Sequence, residues 1–390
     1  MSHPYDERTR ERLDRPESRK WSLQPGAIGA WVAEMDFGTA PEVTAALHRA
    51  IDEENLGYLS PALAARMGEA TSSWLAHDQG WRVDPERVHP VADVMAALGV
   101  AVSEYAPTGS AVIVPTPAYM PFLTYLPSIG HPVIEVPGVV ADGRWQHDLD
   151  AIDAAFAAGA RTLVLCNPHN PTGTVLTRDE LTAIAAVVDR HGGRVFADEI
   201  HAPLRYDGAV HVPYASIAEA TAAHTITGTS ASKAWNIPGL KAAQLITSND
   251  ADEQRYRRFG FAVVHGAATL GVVATIAAYR DGRDWLAHTN EYLDGNRRAL
   301  AELLAAELPA ARYTPPEATY LGWIDAGGLG IEGSPAAFFR EHAGVVLTDG
   351  ALCGAGYEND VRMVLALPRP LLAEAVHAMS DAVNRRGRRG

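Results

Sequence analysis

The sequence predicts an α/β protein whose mostly parallel sheet is covered by helices on both faces, and three observations lead there. Short apolar runs rich in β-branched residues recur through the middle of the chain, at 88–91, 111–115, 132–136, 162–166, 194–197, 225–228 and 242–247. Several are separated by helix-length segments such as 94–105 and 178–191, the alternation of a βαβ architecture. The runs are apolar throughout, which suits strands buried on both sides.

These runs make about seven strands in a large α/β unit expected over residues 46–285. The chain ends read differently. Residues 1–45 hold little periodic structure beyond WVAEMDF (31–37). After Asp284 a long amphipathic helix extends to near Leu308, strand-like segments follow at 319–325, 345–348 and 360–365, and a helix covers 369–385. Strands and helices without strict alternation predict a smaller α+β unit, formed by residues 1–45 plus 286–390. The Arg/Gly tail after Asn384 is expected to fray.

A formal charge of −14 over 390 residues argues against nucleic acid or an anionic membrane as partner. Two cysteines, Cys166 and Cys353, cannot build a disulfide framework and point to a reducing, cytoplasmic setting. The first twenty residues lack an apolar core, so no signal peptide is expected, and no run is long enough to span a bilayer. No metal is expected. Among 33 basic residues only Lys20, Lys233 and Lys241 are lysines. Arginine replaces lysine where a plain positive charge suffices, but a guanidinium stays protonated and cannot form a Schiff base. A retained lysine therefore draws scrutiny.

Five segments carry candidate chemistry. Ser230-Ala231-Ser232-Lys233 follows a strand, with Lys241 eight residues on. Lys233 at the end of a buried strand is placed to lose its proton, and Ser230, Ser232 and Lys241 suit a phosphate. A turn of small polar residues before a helix fits as well. Asp198 ends another strand, where an acid points into the ligand crevice of an α/β sheet. There it would keep a pyridine nitrogen protonated, or simply cap the next helix. His201 is a ligand-side group or a structural histidine.

The third segment is NPHNPTG (167–173), a rigid loop in which Asn170 offers an amide to a ring oxygen, or a turn whose prolines end the strand. In PAYMPF (117–122), Tyr119 is placed to stack on a flat heteroaromatic ring, or to fill the core. Last, Asp93 precedes a helix whose first free N–H groups, from Val94 and Met95, form an anion site. Four of the five follow a predicted strand directly, and parallel strands bring their carboxyl ends to one edge.

On these residues the chain resembles the fold-type I pyridoxal-phosphate (PLP) enzymes, and more narrowly the MalY/PatB-type, cystathionine β-lyase-like C–S lyases. The resemblance is carried by WVAEMDF, Gly57-Tyr58, PAYMPF, NPHNPTG, DEIHAPL (198–204), SASKAWNIPGLK (230–241), ATYLGWID (318–325) and Val361-Arg362, in the family's order. It implies PLP as cofactor, Lys233 as Schiff-base lysine and proton shuttle, and Asp198 on the pyridinium nitrogen. It further implies Asn170 on the phenolic oxygen, Tyr119 on the ring face, and Ser230, Ser232, Lys241, Val94 and Met95 around the phosphate. Tyr58 would reach the phosphate of a neighbouring subunit in a homodimer, and Arg362 would grip the substrate carboxylate with Asn170 and His201 nearby.

The chain departs from the family where Met363-Val364 replace Leu-Asn, where Ala202-Pro203 are apolar, and over 264–269. The implied reaction is β-elimination from an L-cysteine S-conjugate, giving thiol, pyruvate and ammonia. An aminotransferase, or a regulatory protein on the same fold, uses the same parts.

Overall fold

The computed structural model describes residues 3–141, 143–206 and 208–387. In chain order the first strands are β1 (Ile28–Gly29), β2 (Val88–Val91), β3 (Val112–Thr116), β4 (Val133–Pro137), β5 (Val139–Ala141), β6 (Arg144–Gln146) and β7 (Thr162–Cys166). They are followed by β8 (Arg194–Asp198), β9 (Thr225–Thr229), β10 (Ala243–Thr247), β11 (Arg312–Tyr313), β12 (Leu321–Asp325), β13 (Val345–Val346), β14 (Thr348–Asp349) and β15 (Asp360–Val364).

Seven of these form the central sheet, in the order β2-β10-β9-β8-β7-β3-β4. Only β10 runs against its neighbours. Successive residues of one strand enter different cores, as a two-residue period requires. Val112, Val114, Val164 and Phe196 join the core under the helices Val94–Tyr105 and Met120–Ser128. Ile113, Leu163, Leu165 and Val195 join the core under Leu149–Ala157 and Arg178–Arg190. Both faces are buried, which is why the strands read as unbroken apolar runs. Each sequence-predicted strand of this sheet is present within one residue at either end.

The helix Val94–Tyr105 starts where Asp93 accepts the Ala96 N–H at 2.8 Å through its side chain. Arg178–Arg190 starts at a capping box between Thr177 and Glu180, a signal that the sequence carries openly. Two helices that the periodicity had not separated, Pro41–Asp52 and Pro61–Asp78, both begin on proline, as the first turn favours.

A second, antiparallel sheet has the order β11-β12-β15-β14. The single strand expected at 345–348 is two strands. β13 pairs parallel with β1, whereas β14 pairs with β15, so the chain changes sheets at Leu347. The N-terminal segment packs against this part: Val364 N donates to Ala30 O and Asp36 N to Ala366 O. The last helix, Arg369–Gly387, continues past Asn384, so the expected fraying does not begin there; residues 388–390 lie outside the described set. Among the described residues no single helix is long and apolar enough to cross a membrane.

The sheet's polarity positions the site. Strands β2, β3, β7, β8 and β9 end at one edge, and β10, running the other way, begins there. Residues 93, 119, 170, 198, 230–233 and 241 therefore follow strands, or precede one, along a single edge.

Candidate active site

Lys233 sits in the turn after β9, beneath the N-terminal segment. That segment is held down by Asn236, whose side chain donates to Met35 O at 2.8 Å and Gly38 O at 2.9 Å and accepts from Met35 N at 2.8 Å. The Lys233 amine donates to Ala33 O at 3.0 Å. Burial first, then the Arg362 guanidinium, lower the amine to about 8 against the opposing charges of Glu34 and Asp198. A lysine so shifted is unprotonated for roughly a tenth of the time at pH 7 and about half of it at pH 8, far more than an exposed lysine.

Arg362 lies on β15 and is only 3% exposed. One terminal nitrogen donates to Asn170 Oδ1 at 3.0 Å; the other donates to Trp31 O at 3.0 Å and Thr348 Oγ1 at 3.2 Å. Its Nε has no partner among the described residues. A buried guanidinium with an unmet donor is suited to an anion. Met363 and Val364, where the chain departs from the family, are both fully buried in the core, and Asn170, Trp31 and Thr348 hold the guanidinium.

Asp198 is buried at the end of β8, and its Oδ1 accepts the Ile200 N–H at 3.1 Å. Burial raises its carboxyl to about 7, with Glu199 adding to the rise and the Ile200 N–H and Lys233 opposing it. His201 is buried as well, edge-on to Tyr320 with ring centroids 6.2 Å apart. Its Nδ1 has no partner among the described residues. Burial, then Lys233 and Arg362, lower it to about 3, so the imidazole is neutral.

At the opposite end, Asp93 takes the Ala96 N–H, which leaves the Val94 and Met95 amides as the free donors of the first turn. Lys241 does not stand free: its amine pairs with Asp93 Oδ2 at 2.7 Å. The Ser230 hydroxyl donates to Ala242 O at 2.8 Å and accepts from Ser232 N at 3.0 Å, so it shapes the turn itself. Tyr119 is the residue before the helix Met120–Ser128. Burial raises its hydroxyl, which the Arg362 charge opposes and the Asp198 charge reinforces, and its ring meets that of Phe122 edge-on at 5.4 Å. Tyr58 is not brought in. It is 94% exposed, 6.1 Å from the His265 ring, beside a cavity of about 980 Å³ that Phe261 and Val264 also line.

The sequence reasoning missed several neighbours. Trp31 and Thr348 orient Arg362, and Ala33 O receives both Lys233 and the Tyr320 hydroxyl, the latter at 2.9 Å. Trp31, Ala33 and Tyr320 belong to motifs already singled out, but two of these contacts are made by main-chain carbonyls, which no side-chain pattern reveals. The apolar Ala202-Pro203 pair likewise acts through its carbonyls, accepting from Arg205 at 2.6 Å and Asn290 at 2.9 Å.

A partly buried amine, a buried carboxyl and free helix N–H groups along one edge of the central sheet, with a buried guanidinium from the small sheet, define a site for an anionic aromatic cofactor and an amino acid. The chain belongs to the aminotransferase class I and II family, whose model matches residues 32–379, and its architecture is the expected fold type I. More narrowly, it is similar to cystathionine β-lyase of Corynebacterium glutamicum, at 35% identity over 376 residues covering 96% of this chain and 98% of that one. It is similar to cystathionine β-lyase PatB of Bacillus subtilis at 30% identity, covering 92% and 93%. The solved structure of a PLP-bound C–S lyase from Staphylococcus hominis superposes with a TM-score of 0.88, at 28% identity and 98% of each chain.

Proposed function

We propose that this chain is a PLP-dependent carbon–sulfur β-lyase that cleaves L-cysteine S-conjugates to thiol, pyruvate and ammonia. The observation that carries the reading is the partly buried Lys233 amine at the end of β9, donating to Ala33 O at 3.0 Å and held at about 8.

The residues fit the cofactor. Asp198 offers a buried carboxyl to a ring nitrogen, Tyr119 a ring face, and Asn170 an amide donor, since its oxygen is taken by Arg362. The Val94 and Met95 amides, with Ser232 nearby, suit the phosphate, and Lys241 offsets the charge of Asp93 beside it. PLP, when bound, supplies an aldehyde for covalent attachment and a protonated ring that draws electrons from the substrate α-carbon.

The chain's own groups do the rest. Arg362 takes the substrate carboxylate and fixes the α-carbon over Lys233. The freed Lys233 amine removes the α-proton as general base. Asp198 keeps the ring nitrogen protonated. His201, neutral and unpaired at Nδ1, is left to orient the ligand. Ala33 O gives the released amine a partner within the site.

The division into residues 46–285 and residues 1–45 plus 286–390 is part of this reading, supported by the two separate sheets. So is a homodimer in which Tyr58 reaches the neighbouring phosphate, supported by the exposure of Tyr58 and Phe261. A cytoplasmic location accords with the free, buried Cys166 and Cys353. The test is release of pyruvate and thiol from a panel of S-alkyl-L-cysteines, with Lys233→Ala as control. Formation of pyridoxamine phosphate without thiol would assign an aminotransferase instead.

A further inference from the structure

One hairpin of the molecule has no part in the mechanism. Among the described residues β5 and β6 pair only with each other, Val140 opposite Trp145, and join neither larger sheet. A lone two-stranded hairpin is marginal by itself, and this one is fastened by Arg144. Its Nε donates to Glu317 Oε1 at 2.7 Å, and its terminal nitrogens donate to Glu180 Oε1 at 2.6 Å and Val175 O at 2.7 Å.

The anchored hairpin delivers Trp145 to the loop that carries Asn170. The indole is 6% exposed and lies flat on the His169 imidazole, with ring centroids 3.9 Å apart and planes 16° apart. Trp145 Nε1 has no hydrogen-bond partner among the described residues, and a Cβ at Gly138 would stand 2.2 Å from it. What the indole gives its neighbour is therefore a flat face.

His169 is the residue before Asn170. Its N–H donates to Thr174 O at 2.9 Å, its carbonyl accepts from Gly173 N at 2.8 Å, and its Nδ1 lies 2.9 Å from Thr172 Oγ1. Main chain and ring edge are thus fixed within the loop, and the stack fixes the loop to the hairpin. The Asn170 oxygen is taken by Arg362 at 3.0 Å, so the direction of its NH₂ group follows from how the loop is seated.

We propose that Trp145 and His169 are positioning residues, whose stacked rings aim the Asn170 amide at the ring oxygen of the cofactor. This rests on the reading of Asn170 as the donor to that oxygen. An N–H donated there favours the ionised oxygen, so the neighbouring Schiff base holds its proton less tightly. If the amide drifts, the proton is held to higher pH.

The experiment is a spectrophotometric pH titration of the holoenzyme, which reads the bound cofactor and needs no turnover. In Trp145→Leu the midpoint is expected to rise by about 0.5–1 pH unit, while Trp145→Phe, which keeps a flat ring, stays near the wild type. His169→Leu leaves the indole in place and is expected to shift the midpoint likewise, so a poorly folding Trp145→Leu does not remove the test. The double variant Trp145→Leu with His169→Leu is expected to shift no further than either alone, because both changes break one contact. Asn170→Ala tests the underlying reading by itself. A midpoint unmoved in Asn170→Ala would remove that reading and the proposal with it. A shift in Asn170→Ala with none in Trp145→Leu or His169→Leu would overturn the proposal alone, as would a Phe variant displaced as far as the Leu one.

Discussion

The Arg362 guanidinium donates to the side-chain oxygen of Asn170 at 3.0 Å, across 192 residues of chain. The contact ties β15 of the small sheet to the loop after β7, and it settles which end of the Asn170 amide faces outward. With the oxygen engaged, the NH₂ group is the end left for a ligand oxygen.

Replacing Arg362 by lysine removes a planar fork and keeps the charge. KM for amino-acid substrates is expected to rise by roughly 10- to 100-fold, with a smaller change in kcat. Steady-state kinetics would check this, and an unaltered KM would take the carboxylate away from Arg362.

Asp198 sets function against stability. Its folded value, raised to about 7 chiefly by burial, lies above that of the unfolded chain. The unfolded state therefore releases the proton first, and stability is lost as pH rises from about 4 to 7. Asp198→Asn is expected to raise the melting temperature of the cofactor-free protein at pH 8 while lowering kcat by about 100-fold or more. A destabilised Asn variant would contradict the buried-charge argument.

Much of this was legible in the sequence, for identifiable reasons. Strand ends and the groups following them were readable because a sheet buried on both faces leaves uninterrupted apolar runs, as at Thr162–Cys166 before Asn167. The three lysines were conspicuous against an arginine background, and each has a specific place: Lys233 in the site, Lys241 on Asp93, and Lys20 buried on Asp36. Ser230 and Lys241 are residue types that suit an anion, but composition cannot show that Ala242 O and Asp93 already engage them. Nor could spacing show that Ala33 and Trp31 act through carbonyls, because main-chain groups are the same in every sequence.

The lowered Lys233 value has a kinetic consequence in cofactor-free protein. Below pH 8 the amine is protonated and not nucleophilic; above it the amine is free. The rate of reconstitution with PLP is expected to rise about tenfold per pH unit on the acid side and to level off above pH 8. Stopped-flow absorbance across pH 6–10 would measure this, and a midpoint near that of an exposed lysine would refute the burial argument.

Lys20 and Asp36 form an ion pair at 2.9 Å with both side chains buried. Lys20→Met strands the carboxylate and is expected to cost about 3–5 kcal/mol by denaturant unfolding, while the double change Lys20→Met with Asp36→Leu costs less. A neutral single variant would mean that the N-terminal segment does not depend on this anchor.

The covalent attachment itself is the most direct test, and the scarcity of lysine makes it clean. The holoprotein is reduced with borohydride, digested and mapped by mass spectrometry. The reduced cofactor is expected on the peptide containing Lys233 and to be absent from those of Lys20 and Lys241. A holoprotein left unlabelled in excess PLP, or labelled at Lys20 or Lys241 instead, would contradict the assignment of this edge of the sheet as the active site.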